Sequence, residues 1–208
     1  IDIRGTLPSA NLARVANYLP LVVGASAREW LTENLKAGMA KNGQFELSGR
    51  LSDFPFADPK HPGVFRIDVP FENGELTYAP GWPGIQKVNG KALFIGKRML
   101  IEAEQAETSG VGLKGVQATI DNLDAWEPLL EIKGQGQGDL GKMVAFVNQS
   151  PVREILNEAL VNAQVEGNAN LDLRLNIPIA DPEKTQVKGD LKLKGNSIRV
   201  VRGMPVVS

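Results

Sequence analysis

The only histidine in the chain, His61, stands between Lys60 and Pro62 in a stretch that also carries Pro55 and Pro59. A Ser-His-Asp or Cys-His device would have to run through it, yet no Gly-x-Ser-x-Gly elbow and no cysteine accompanies it. It reads as an exposed loop imidazole. One histidine without cysteine also leaves zinc with carboxylates alone, so no metal site is expected. Among the 24 acidic residues, Glu102 and Glu104 share one face of a strand, and Asp121, Asp124 and Glu127 gather around Trp126. Neither group has the spacing of a calcium loop. Glycoside hydrolysis would need two facing acids, and no spacing selects a pair. Gly134, Gly136, Gly138 and Gly141 form a glycine-rich run, but a phosphate loop wants a hydroxyl after Gly-Lys, and Gly141-Lys142 is followed by Met143. That run reads instead as a strand narrowing where side chains would collide. The ladder Asn168, Asn170, Asp172 and Arg174 has the types to bind an ion or sugar, and equally the types of a solvated sheet face. The expectation is a protein that is not an enzyme and needs no cofactor.

The totals narrow the partners. The chain has 208 residues, a net charge of −1 and an isoelectric point near 6.0. No basic field is present to hold a nucleic-acid backbone, so no nucleic acid is expected. Absence of cysteine excludes disulfides and leaves the compartment open. No apolar run approaches the roughly 18 to 20 residues that cross a bilayer as a helix. The longest, Leu19 to Ala25, is interrupted by Pro20 and Gly24. A start at Ile1 rather than Met reads as one segment of a longer chain.

What remains is the patterning of apolar residues. From Ala163 to Ile177 every odd position is apolar or Gly and every even one polar, a period of two that only a strand has. At about 3.3 Å per residue this run reaches about 50 Å, against about 17 to 20 Å for a usual strand. After a turn at Pro178 to Pro182 the alternation resumes through Val187, Gly189, Leu191 and Leu193. Two long, paired strands therefore share one apolar and one wet face. Small residues at Gly167, Ala169 and Gly189 leave room on the apolar side. Such a face is either half of a closed core or an open surface for long apolar ligands; the period reports which side is apolar and not what lies against it.

Elements along the chain divide into four stretches. Residues 1–38 pattern as helical: Ser9 stands as a cap before Leu12, Val15, Ala16 and Leu19, and Ser26 with Glu29 has capping-box spacing for a helix from about Ala27 to Ala37, stopped by Gly38. Residues 39–137 read as an antiparallel meander, with strands at Phe45 to Leu51, Val64 to Val69, Gly74 to Tyr78, Gln86 to Ile95, Arg98 to Ala103, Gly110 to Ile120 and Leu129 to Gly136. Asn73-Gly74 and Asn89-Gly90 are expected to mark reversals. Residues 138–162 carry a helical pair, one stripe of Leu140, Met143, Val144 and Val147 and a second opened by Ser150-Pro151. Residues 163–208 form the long hairpin. The fold class expected is mainly β (α+β), an elongated antiparallel meander with a few short amphipathic helices packed on it.

Several landmarks spread over most of the chain: Tyr18-Leu19-Pro20, Trp30-Leu31, Phe54-Pro55-Phe56, Gly63-x-Phe65, Leu76-x-Tyr78, Gly81-Trp82-Pro83 and Ser150-Pro151. In this order they resemble the central region of the YhdP group of the AsmA-like family of Gram-negative bacteria. The resemblance implies a segment of a periplasm-spanning protein, tethered to the inner membrane by parts of the chain absent here, whose strands curl into a U-shaped groove that carries phospholipid acyl chains. The family supplies no active-site motif, so groove residues follow from strand parity. They are Val165, Ala169, Leu171, Leu173, Leu175, Ile177, Val187, Leu191 and Leu193 in the hairpin, with Phe45, Leu47, Phe65, Ile67, Leu76, Tyr78 and Phe94 in the meander. Two other readings stand beside it: a β-rich scaffold with a closed core that binds a protein partner, and a carbohydrate-active enzyme.

Overall fold

The computed structural model describes residues 1–19 and 25–200. Nine strands form one sheet in sequence order, every neighbouring pair antiparallel: β1 (Asp2–Asn11), β2 (Leu35–Ser48), β3 (Val64–Leu76), β4 (Ile85–Ile95), β5 (Arg98–Thr108), β6 (Val111–Ile120), β7 (Leu129–Asp139), β8 (Ala163–Pro178) and β9 (Gln186–Val200). The sheet is open, with β1 and β9 as its edges. Three α-helices accompany it: α1 (Ala25–Asn34), α2 (Leu140–Asn148) and α3 (Val152–Ile155). A mainly β antiparallel meander is thus what the chain builds. Its surface of 13842 Å² exceeds the about 9,400 Å² of a compact chain of this mass, as a single-layer sheet requires.

One end of the sheet collects the helices. Here β1 passes through a 3-10 helix (Leu12–Tyr18) and α1 into β2, and β7 passes through α2 and α3 into β8. Loops 49–63, 121–128 and 179–185 lie at the other end, where β4 and β5 also meet across the short turn at Gly96-Lys97.

Several sequence expectations give way here. The first ten residues of the 1–38 stretch are a strand and not a helix, because Ile3, Gly5 and Leu7 pair with Leu47, Phe45 and Gly43. The cap of the following 3-10 helix is Asn11, whose Oδ1 accepts the Ala13 N–H at 2.9 Å, and Ser9 sits in the strand opposite Lys41. Helix α1 ends at Asn34, where the chain enters β2. Gly38 is no helix stop: it lies inside β2 at φ +124, where a Cβ would meet Leu12 Cδ1 at 2.7 Å and the Gly74 backbone at 2.9 Å. Pro20 and residues 201–208 lie outside the described residues. The second helix of the 138–162 pair is one turn only, since Asn157 and Glu158 take left-handed φ of 49 and 58.

Asn73-Gly74 and Asn89-Gly90 do not reverse the chain. Both lie inside single strands, β3 and β4, and Asn73 at φ 52 sits at a register shift between Phe71 and Gly74. A β-bulge uses the same left-handed backbone that a tight turn uses, so the dipeptide signal fits both. Asn89 serves its neighbour: its Oδ1 accepts the Asn73 N–H at 2.8 Å. Further bulges fall at Asn42 in β2, Lys87 in β4 and Gly115 in β6, with φ of 53, 55 and 57. Each extra residue in a strand switches which parity faces the core. In β5, Ala103 and Ala106 are both buried; in β3, Phe71 and Leu76 pack on the same cluster. Strands that the alternation cut short at Val69 and Ala103 therefore run on to Leu76 and Thr108.

Candidate functional site

Cross-strand partners in an antiparallel sheet point to the same face. Following them places the apolar residues of all nine strands together. One rung runs Val69, Ala92, Ile101, Ala118, Ile132, Leu175, Val187 across seven strands. Another runs Gly5, Phe45, Ile67, Phe94, Met99, Ile120 from β1 to β6. Towards the helical end Phe71, Gly90, Ala103 and Val116 follow, and Ala106, Leu113, Gly136, Leu171 and Leu191 lie beyond them. The result is a continuous apolar face as wide as the sheet.

Glycines shape this face. Phe45 lies across Gly5, where a Cβ would be 2.1 Å from the ring. At Gly134 a Cβ would come within 2.9 Å of Val116 Cγ2, so a side chain would collide there, whereas at Gly136 and Gly138 the nearest atoms are 3.6 and 3.8 Å away and the expected collision does not extend along the run. Leu173 projects between Gly134 and Gly189, its two cross-strand partners, and has space on both sides.

Little covers it. Among the described residues no large side chain is fully buried. Phe45 is 42% exposed, Leu191 47% and Leu193 45%, although all three point to the apolar side. Leu175 is 6% exposed, with Ile132 and Val187 as its flanking partners. A second layer lies under α2, where Leu140 and Met143 meet Val111 and Ala169, with Leu113, Val165 and Leu171 around them, and the 3-10 helix brings Leu12 onto β2 at Gly38. Asp139 caps that helix, its Oδ1 accepting the Lys142 N–H at 3.0 Å. The helix is tied down by Phe146, whose ring lies 6.1 Å from Trp82 in the β3–β4 connection; Trp82 in turn lies 5.6 Å from Tyr78. At the opposite end Phe54 folds onto Phe65 at 5.0 Å.

The residues singled out by parity fall into four groups. Phe45, Leu47, Phe65, Ile67, Phe94, Leu173, Leu175, Ile177, Val187, Leu191 and Leu193 share the apolar face. Val165, Ala169 and Leu171 share it beneath α2, and Ala169 is 3% exposed. Leu76 joins the cluster of Val88, Ala103 and Ala106. Tyr78 lies past the end of β3 in the aromatic cluster, where burial raises the pKa of its phenol. Parity missed the central strands, whose Met99, Ile101, Leu113, Val116 and Ile132 occupy the same face. In β5 and β6 their alternation is visible in the sequence in runs of two or three, broken by a bulge.

The wet face holds ordinary ion pairs. Glu102 pairs with Lys91 at 3.0 Å, and the hydrogen bond from that ammonium holds its carboxyl below the usual range while raising Lys91. Glu107 is lowered in the same way by Lys87 at 2.8 Å. Asp172 of the polar ladder accepts from Gln135 Nε2 at 2.8 Å. Arg98 meets Asp121 at 3.1 Å and Lys97 meets Asp124 at 3.4 Å. His61 contacts Asp58 at 3.1 Å in the exposed loop, where the Lys60 N–H lowers the Asp58 pKa. These groups are salt-bridged and solvated; none faces another acid across a cleft. No group of three or more potential metal ligands occurs among the described residues, and no helix there is long and apolar enough to cross a membrane.

The family model described as YhdP protein matches residues 1–208. The intermembrane phospholipid transporter YhdP of Escherichia coli (strain K12) is 25% identical over 180 residues, which is 85% of this chain and 14% of that protein. The chain thus spans about a seventh of the length of that relative. No solved structure matches the chain.

Proposed function

The chain belongs to the YhdP family, and from that premise we propose that its apolar face holds the acyl chains of phospholipids and lets them move across the sheet from strand to strand. One observation carries the reading: an apolar surface continuous over nine strands, most of it without an opposing layer. Passage would be by partitioning. Each methylene kept out of water is favoured by about 0.8 kcal/mol, and a face of constant apolar character keeps that gain level as the chain slides, so no energy barrier arises from re-wetting. The headgroup stays in solvent and no catalytic group is needed. In the cell this segment would form part of a path between inner and outer membrane through the periplasm, anchored by other parts of the protein. There it would serve lipid homeostasis and the permeability barrier of the outer membrane.

A closed scaffold core would need a second layer over the whole face, and α2 supplies one around Val111 and Ala169, with Leu113, Val165 and Leu171 beside them. The test is direct: phospholipid extracted from the purified chain and identified by mass spectrometry. Lipid at a stoichiometry near one or above is expected. A lipid-free chain that also takes up no phosphatidylethanolamine from vesicles would refute the reading.

A further inference from the structure

The apolar face is not uniform along its strands, and the difference assigns its two halves to different tasks. We propose that helix α2 divides the face lengthwise into a covered lane, which is ordinary protein core, and an open lane, which alone carries acyl chains; this rests on the lipid-conducting reading.

The helix leaves β7 at Asp139 and sets Leu140 and Met143 onto Val111 and Ala169. It does not stop over β7 and β8. Phe146 reaches Trp82, and Pro151 lies 3.8 Å from where a Cβ on Gly81 would stand, both in the β3–β4 connection. Lys142 lies over Gly110 in the β5–β6 turn. The segment therefore runs from β8 and β7 past the β5–β6 turn to the β3–β4 connection, across the strands and so parallel to the direction in which a lipid would travel. At 100° per residue Lys142, Ala145 and Gln149 lie on the side of the helix opposite Leu140 and Met143. Lys142 and Gln149 are exposed there, so the outer side of the helix offers no apolar path to replace the one it covers. Val111, Leu113, Val165, Ala169 and Leu171 are removed from the track. The rung from Val69 to Val187, with Ile67, Phe94 and Met99 beside it, lies outside the cluster under α2; its members are partly exposed except Leu175, which Ile132 and Val187 flank. The helix thereby sets the width of the track.

Two methionines report the two lanes without any substitution. Met99 belongs to the open lane and is partly exposed; Met143 is the covered contact. Oxidation by hydrogen peroxide, followed residue by residue by mass spectrometry in the full-length protein, is compared with and without bound phosphatidylethanolamine. Met99 is expected to be protected at least fivefold by lipid, while Met143 oxidises slowly and at the same rate in both. Lipid-dependent protection of Met143 equal to that of Met99 would overturn the division into lanes and leave lipid binding intact. Unchanged rates at both would remove lipid binding from the face altogether, and the lanes with it. A benzophenone side chain in place of Ile101 or Leu113 extends the test in cells labelled with radioactive phosphate. Phospholipid is expected to crosslink from Ile101 at least tenfold more than from Leu113. Equal crosslinking overturns the proposal.

Discussion

Placing one charge at two points on the same face of β8 separates track from core. Leu173 is partly exposed and flanked across the strands by Gly134 and Gly189, so a glutamate has space there and can turn its carboxylate to water. Full burial of a leucine is worth about 1.5–3 kcal/mol, and losing part of it costs about 1–1.5 kcal/mol. For a chain of this size that is about 2–6 °C in Tm. The fold survives. An acyl chain sliding past must strip water from the carboxylate, a cost of about 3 kcal/mol, which slows passage about a hundredfold. Ala169 lies four residues away with the same parity, 3% exposed beneath Leu140 and Met143. A carboxylate there is buried without a partner and costs about 4 kcal/mol or more, about 8–16 °C. Thermal denaturation followed by circular dichroism, together with transfer of fluorescent phospholipid between vesicles, measures both. Leu173→Glu is expected to stay folded and lose transfer; Ala169→Glu is expected to lose stability. Unfolding of Leu173→Glu would show that Leu173 belongs to a closed core, and unimpaired transfer by a folded Leu173→Glu would show that lipid does not use this face.

Other consequences concern the frame. At Gly90 a Cβ would stand 2.0 Å from the Glu102 carbonyl oxygen, so Gly90→Ala should destabilise by about 1–3 kcal/mol, read as a lowered denaturation midpoint with unchanged slope. Glu102 and Glu107 have folded-state pKa values below their usual 4.5. Their contribution to stability is therefore present above about pH 4.5 and lost as the pH falls through the lowered values. In a pH series of melting temperatures, Glu102→Gln should lower the neutral plateau slightly and leave the acid end nearly unchanged, so that the acid limb is flatter. His61 lies in the exposed loop with Asp58 as its partner, and His61→Ala should leave lipid uptake within twofold of the parent, as measured by the vesicle assay.

How far the sequence reached depended on whether a strand kept its parity. In β8 no residue switches sides: Val165, Ala169, Leu171, Leu173 and Leu175 are all odd, and the extra residue at the Glu166–Asn168 shift falls in β9 instead. That strand was readable from end to end. In β3, β5 and β6 a bulge moves the apolar face from one parity to the other, so β3 looked like two short strands and β5 stopped early, while β6 was read at full length, Gly110 to Ile120, without its change of face. Asn-Gly pairs made this worse, because a left-handed residue followed by glycine serves a bulge and a hairpin turn alike.

Alternation and composition determined by themselves that this is a β protein with one apolar face, since side-chain period and residue type are local properties. Which residues share a rung was decided by register, through contacts between positions far apart in the chain. What covers the face was also decided there. Val165 and Leu173 carry the same pattern in the sequence, yet one lies under α2 and the other between two glycines. Only the path of the helix back to Trp82 distinguishes them.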